Sequence, residues 1–212
     1  AMMQILACAK QLIRSDCAVR QGPWGWRNKL EAGEVAGKRL LIIGYGRIGR
    51  HLARMAAPFG MEVRALDPFL QSQGWPEGEV RPVADLGEGL AWADIISVNL
   101  PKADHPILGA AEIAAMKRGS IIINTARGDL IDEEALIAAL KSGQIAGAGL
   151  DVFANEPKVD PRLIALPNVI TLPHLGSATI EGRAHAGEKV IANIRFWADG
   201  HRPPDQVLAG WV

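Results

Sequence analysis

The run Arg39-Leu40-Leu41-Ile42-Ile43-Gly44-Tyr45-Gly46-Arg47-Ile48-Gly49 constrains this chain more than any other stretch. Four aliphatic residues in a row read as a buried strand, the Gly-x-Gly-x-x-Gly as a tight turn, and His51, Leu52 and Ala53 as the start of a helix. That order is the dinucleotide-binding fingerprint. Gly44 permits the turn, Gly46 lets backbone approach a pyrophosphate, and Gly49 lets the helix pack closely on the strand. Tyr45, Arg47 and Ile48 complete the phosphate loop at the helix N-terminus, where free N–H groups and the positive end of the helix dipole face the anion. A second strand over 61–66 ends at Asp67, about 20 residues after the turn, where a carboxylate accepts from the ribose hydroxyls. It also repels a 2′-phosphate, so the expected cofactor is NAD rather than NADP.

Further strands are expected at 94–98, 120–124, 145–150 and 168–171, with helices near 47–58, 85–92, 110–117, 132–141 and 178–198. Apolar strands alternating with helices predict an α/β chain, a Rossmann-type doubly wound parallel sheet with helices on both faces. Residues 2–18 read as one amphipathic helix without a cap. Its Met3, Ile5, Leu6, Leu12 and Ile13, with Trp24 and Trp26 in the next loop, predict a homodimer. The chain thus divides into a cofactor domain over 1–200, with 1–18 at its interdomain or dimer edge, and a short segment over 201–212 entering another module.

Lys plus Arg and Asp plus Glu each total 23, so no net field draws nucleic acid or an anionic membrane, and neither is expected as a partner. Aliphatic runs are too short to span a bilayer, and the opening residues do not look like a signal peptide. Cys8 and Cys17 fall on nearly opposite faces of the first helix, suiting a reducing compartment, so the expected location is cytoplasmic. No His-x-x-x-His or Cys-x-x-Cys spacing occurs, and no metal site is expected. His51, His105, His185 and His201 fit no motif, Asp94 and Asp104 read as solvated loop or strand-edge charges, and the six tryptophans read as packing and interface anchors.

Polar residues concentrate after three later strands, where open α/β sheets bind ligands. These segments are Asn124-Thr125-Ala126-Arg127-Gly128-Asp129, Asp151-Val152-Phe153-Ala154-Asn155-Glu156-Pro157, and Pro173-His174-Leu175-Gly176-Ser177-Ala178-Thr179. An arginine, a carboxylate and a histidine could meet there in one crevice.

These segments, with the glycine turn, resemble the signature motifs of the D-isomer-specific 2-hydroxyacid dehydrogenases, and the resemblance covers most of the chain. It implies an NAD-dependent oxidoreductase moving a hydride between nicotinamide and C2 of a small 2-hydroxy or 2-keto acid, of the phosphoglycerate or glyoxylate/hydroxypyruvate type. By position, His174 matches the general acid/base, Glu156 its carboxylate partner and Arg127 the substrate-binding residue. An imidazole suits proton transfer near neutral pH, and a guanidinium fork suits an α-carboxylate. Asp151 matches the acceptor for the nicotinamide carboxamide. Asn99, Leu100, Pro101, Thr125, Ala126 and Gly176 match contacts along the cofactor, which Arg127 and His174 also flank. Members normally carry a further stretch ahead of this point that builds most of a substrate domain, so the resemblance implies the cofactor domain of a larger enzyme. Formate dehydrogenases place an amide where Glu156 stands, which disfavours that branch. Phosphite oxidation, or a non-catalytic NAD-sensing corepressor-like scaffold, are the alternatives on the same frame.

Overall fold

The computed structural model describes residues 1–22, 32–78 and 80–207. The chain separates into two compact units, one from Ala1 to Pro173 and one from His174 onward. The loop with Trp24 and Trp26, and Trp211, lie outside the described residues.

In the first unit, β1 (Arg39–Ile43), β2 (Glu62–Leu66), β3 (Arg81–Pro82), β4 (Ile95–Val98), β5 (Ser120–Asn124), β6 (Ile145–Leu150) and β7 (Val169–Thr171) form one sheet in the order β3-β2-β1-β4-β5-β6-β7. Every pairing is parallel. The chain winds outward from β1 in both directions, as a doubly wound Rossmann sheet must. Alternation along β1 divides the core. Leu41 and Ile43 join one cluster with Ile96 and Ile122, while Leu40 and Ile42 join the other with Ile95 and Ile123. Helices α5 (Leu86–Trp92), α6 (Ala110–Ala115) and α7 (Glu133–Ser142) cover the first face, whereas α1 (Met2–Ala9) and α3 (Arg47–Ala56) cover the second. Leu40 to Ile43 are at most 1% exposed. Burying each such side chain is worth about 1.5–3 kcal/mol, so a strand of four is a strong anchor for the turn that follows.

The opening helix is not continuous. It breaks after α1 at Lys10–Gln11, with Gln11 in the left-handed region (φ 48°, ψ 45°), and resumes as α2 (Leu12–Gln21). The Gly33 N–H reaches the Ala9 carbonyl at 2.7 Å, so the returning chain caps α1 where a longer helix would have used that acceptor. Ile5 is fully buried against the sheet, leaving Met3, Leu12 and Ile13 exposed. Cys8 and Cys17 therefore sit on different helices, both as free thiols. Burial pushes the Cys8 thiol up to about 12, leaving it inert near neutral pH.

Three short elements had no pattern to announce them: α4 (Pro68–Gln73), β3 and α8 (Pro161–Ile164). Asp94 is not a solvated charge. It accepts the Arg39 N–H at 2.9 Å and pairs with Lys117 at 2.9 Å, tying the amino ends of β1, β4 and β5 together. In the second unit, α9 (Ile180–Ala198) starts at Thr179, whose hydroxyl accepts the Gly182 N–H. Asp205 returns to this helix through Lys189 and Asn193. No helix among the described residues is long and apolar enough to cross a membrane.

Candidate functional site

The carboxyl edge of the sheet carries the glycine turn. Gly44 has φ 92°, and a Cβ there would lie 2.7 Å from the Asn99 carbonyl oxygen. Only glycine allows both the backbone angle and that approach. A Cβ on Gly49 would collide with the Gly44 carbonyl and press on Ile42, so α3 packs directly on the turn. Gly46 is the N-cap of α3 and has open space where its Cβ would be. Arg47 and Ile48 begin the helix and are exposed. The Tyr45 ring stacks on Trp75 at 5.3 Å with planes 11° apart, so this residue serves the turn through its backbone.

Asp67 joins the turn to β2. One carboxylate oxygen accepts the Tyr45 N–H at 2.9 Å, and the other accepts the Leu70 N–H at 3.1 Å as the N-cap of α4. Each oxygen keeps a second lone pair for a ligand hydroxyl. Asn99 closes the other side. Its amide donates to Ser97, while its buried Oδ1 has no partner among the described residues. Open space over Gly46, an α3 N-terminus, a fixed carboxylate and an orphaned acceptor together fit a dinucleotide. Leu100 and Pro101 continue from Asn99 along the same edge, Leu100 half-buried and Pro101 exposed.

The second group of residues follows β5 and β6. Asn124, 2% exposed, takes the Ala126 N–H on Oδ1 at 3.0 Å and donates from Nδ2 to the Arg127 carbonyl at 2.8 Å. This buried amide folds the Thr125–Arg127 turn, a role its place in the motif did not reveal; an Asn ending an apolar strand was the available signal. Arg127 is exposed, and its Nη1 donates to the Ala126 carbonyl at 2.6 Å. Asp151 is buried and its N–H donates to the Asn124 carbonyl at 2.9 Å. A Cβ on Gly128 would run into the Phe153–Ala154 peptide, so the turn bearing Arg127 lies directly against the loop bearing Glu156. Glu156 Oε1 accepts the Phe153 N–H at 2.9 Å.

Glu133, at the start of α7, was not singled out in the sequence. Burial pushes its pKa up and the neighbouring Asp160 adds to this, against the Ala154 N–H and the Arg162 charge.

His174 opens the second unit, three residues after the end of β7 in sequence, and takes a left-handed backbone conformation with φ 54°. For a residue with a Cβ this costs of order 1 kcal/mol, a strain that clusters at working sites. Gly176 lies in the turn that follows, which the Ala178 N–H to Leu175 carbonyl bond closes at 3.0 Å.

A cavity of about 370 Å³ opens at the opposite edge, beside the amino ends of β4 and β5, among Cys8, Lys117 and Asn168. It belongs to none of these motifs.

The model of the D-isomer specific 2-hydroxyacid dehydrogenase NAD-binding domain matches residues 2–176. A glyoxylate reductase of Thermococcus litoralis is 40% identical over 98% of this chain and 65% of its own length. A D-3-phosphoglycerate dehydrogenase of Mycobacterium tuberculosis is 37% identical over 99% of this chain and 40% of its own. Among solved structures, a glyoxylate reductase from Paecilomyes thermophila superimposes with a TM-score of 0.81 at 38% identity, covering 92% of this chain and 60% of that one. The chain thus spans less than two thirds of the length of these relatives. With the doubly wound sheet and the glycine turn already in place, the match over residues 2–176 is decisive: the chain belongs to the D-isomer-specific 2-hydroxyacid dehydrogenase family and carries its NAD-binding domain.

Proposed function

We propose that this chain is the cofactor-binding part of a dehydrogenase that interconverts a small 2-hydroxy acid and its 2-keto acid, of the glyoxylate/hydroxypyruvate or phosphoglycerate type named for its relatives. The carrying observation is the contact of Gly128 with the Phe153–Ala154 peptide. It sets an exposed guanidinium and a carboxylate on adjoining loops at the carboxyl edge of the sheet that also bears the glycine turn.

Gly44, Gly46, Gly49 and the first turn of α3 hold the pyrophosphate, and Asp67 holds the adenosine ribose. Asn99, Leu100, Pro101, Thr125, Ala126 and Gly176 flank the cofactor, and Asp151 accepts from the carboxamide. Bound NAD supplies the hydride acceptor, and NADH the donor. Arg127 grips the α-carboxylate with a planar fork and polarises the adjacent carbonyl. His174 takes the hydroxyl proton in oxidation and returns it in reduction. Glu156 fixes which ring nitrogen of His174 carries its proton.

Turnover of a panel of 2-keto acids with NADH by the full-length protein tests the reading. Reduction of glyoxylate or hydroxypyruvate, abolished or nearly so in His174→Ala, is expected. Absence of turnover with every 2-keto acid, despite tight NADH binding, would overturn it in favour of a cofactor-sensing role.

A further inference from the structure

The proposed function asks a great deal of Arg127, which is exposed and lies three residues beyond the end of β5. Its side chain is long and rotamer-rich, and a displacement of about 1 Å near a reacting centre can cost about a hundredfold in rate. The guanidinium is tied back to its own turn, where Nη1 donates to the Ala126 carbonyl at 2.6 Å. The direction of the fork therefore follows the Ala126–Arg127 peptide.

Asn124 holds that peptide from both flanks. Its Oδ1 accepts the Ala126 N–H at 3.0 Å, and its Nδ2 donates to the Arg127 carbonyl at 2.8 Å. One planar amide thus clamps the groups on either side of the carbonyl that the guanidinium uses. The clamp is rooted in the sheet. Asn124 is the last residue of β5, is 2% exposed, and receives the Asp151 N–H on its own carbonyl at 2.9 Å. The Leu130 N–H also reaches the Arg127 carbonyl, at 3.3 Å, but it holds only one flank. No apolar side chain could replace the amide, and a carboxylate could accept from Ala126 without donating to Arg127.

We infer that Asn124 is a positioning residue for substrate binding: its buried amide sets the Ala126–Arg127 peptide and, through it, the guanidinium that grips the α-carboxylate. The inference rests on the role proposed for Arg127. It goes beyond the folding of a turn, because it makes Asn124 matter more for the keto acid than for the cofactor.

The test is a mutant cycle in the full-length protein. Steady-state reduction by NADH is followed with the 2-keto acid that the wild type reduces fastest, and NADH affinity is measured separately by fluorescence titration. Asn124→Ala should raise KM for the keto acid about tenfold and lower kcat/KM about 30-fold, while Kd for NADH stays within about twofold. Asn124→Ser, whose hydroxyl bonds a turn more weakly than an amide does, should fall between wild type and Asn124→Ala. Arg127→Ala should lose more than Asn124→Ala, and the double variant N124A/R127A should match R127A alone, since no fork is left to place. Wild-type kcat/KM in N124A, or a further loss in the double variant, would each overturn the inference. So would NADH affinity falling as far as kcat/KM, or misfolding of both N124A and N124S, which would make the role merely structural. Wild-type kcat/KM in R127A, or no turnover by the wild type itself, would instead remove the reading beneath, and the inference with it.

Discussion

Asp67 serves the ligand and the fold with one carboxylate. It caps α4 and holds the Tyr45 N–H, so its removal does more than change cofactor choice. Asp67→Ala should narrow the preference for NADH over NADPH and also lower stability by about 1 kcal/mol through the lost cap. Calorimetric titration of both cofactors, with thermal unfolding of each variant, separates the two effects. A preference that stayed unchanged would take discrimination away from this residue. His174→Ala should lower kcat roughly 100- to 10,000-fold and leave NADH affinity nearly intact, because proton transfer is lost and the nucleotide site is not. Gln4 is different in kind. It is fully buried under Gly149 with both amide atoms lacking a partner among the described residues. Gln4→Met keeps the unbranched shape without the orphaned amide and should stabilise the chain by about 1–2 kcal/mol in denaturant unfolding. The structural places of residues with a motif around them, such as Gly44 in its turn and Asp67 at the end of β2, could be read from the sequence. Gln4 and Asn124 could not, because their places are set by partners distant in the chain or by backbone groups that no side-chain pattern records.

At the scale of elements, the legible parts were those with long apolar runs. Leu40–Ile43 and Ile121–Ile123 are unambiguous because a parallel sheet buried on both faces needs continuous hydrophobics. The two-residue β3 and the six-residue α4 carry too few residues for any period, and they form because Asp67 caps one and the β2 edge pairs with the other. The break of the first helix was equally hidden, since Lys10 and Gln11 are ordinary helix formers and the competing donor, Gly33, arrives from a distant segment. The packing of Gly128 on the next loop makes a sharp prediction. Gly128→Ala forces a Cβ into the Phe153–Ala154 peptide, and should destabilise by about 1–3 kcal/mol while impairing turnover more than NADH binding. Unaltered stability would show that the two loops are not in contact. The tie between strand ends has a pH signature. Burial raises the Asp94 pKa, but the Lys117 and Arg39 hydrogen bonds and the charges of Lys117 and Lys38 outweigh it, holding it below the ordinary carboxylate range. A lowered folded pKa adds stability above the unfolded value, about 4, and that stability is lost as pH falls through the folded value. Asp94→Asn should therefore melt a few degrees below wild type at neutral pH, with the gap closing in acid. A gap independent of pH would contradict the ion pair's contribution.

For the molecule as a whole, exposed apolar surface points to association. Met3, Leu12, Ile13 and Val19 on α1 and α2 face outward, and in the second unit Val190, Ile191, Ile194 and Trp197 lie along one side of α9. A homodimer is expected, and a monomeric mass by light scattering at micromolar concentration would count against it. Sequence reasoning placed this surface partly on Ile5, which the core has taken, because amphipathicity alone does not say which partner a helix faces. The central claim is that this chain holds the cofactor of an enzyme moving hydride to C2 of a keto acid, and isotope transfer tests it most directly. The full-length protein is given NADH deuterated at the nicotinamide C4 together with hydroxypyruvate or glyoxylate, and the product is analysed by mass spectrometry and NMR. Deuterium should appear at C2 of the 2-hydroxy acid, in the D configuration where C2 of the product is otherwise a stereocentre, and the His174→Ala variant should form that product far more slowly. Product without deuterium at C2, product of the L configuration, or no product from an enzyme that binds NADH tightly would contradict the account.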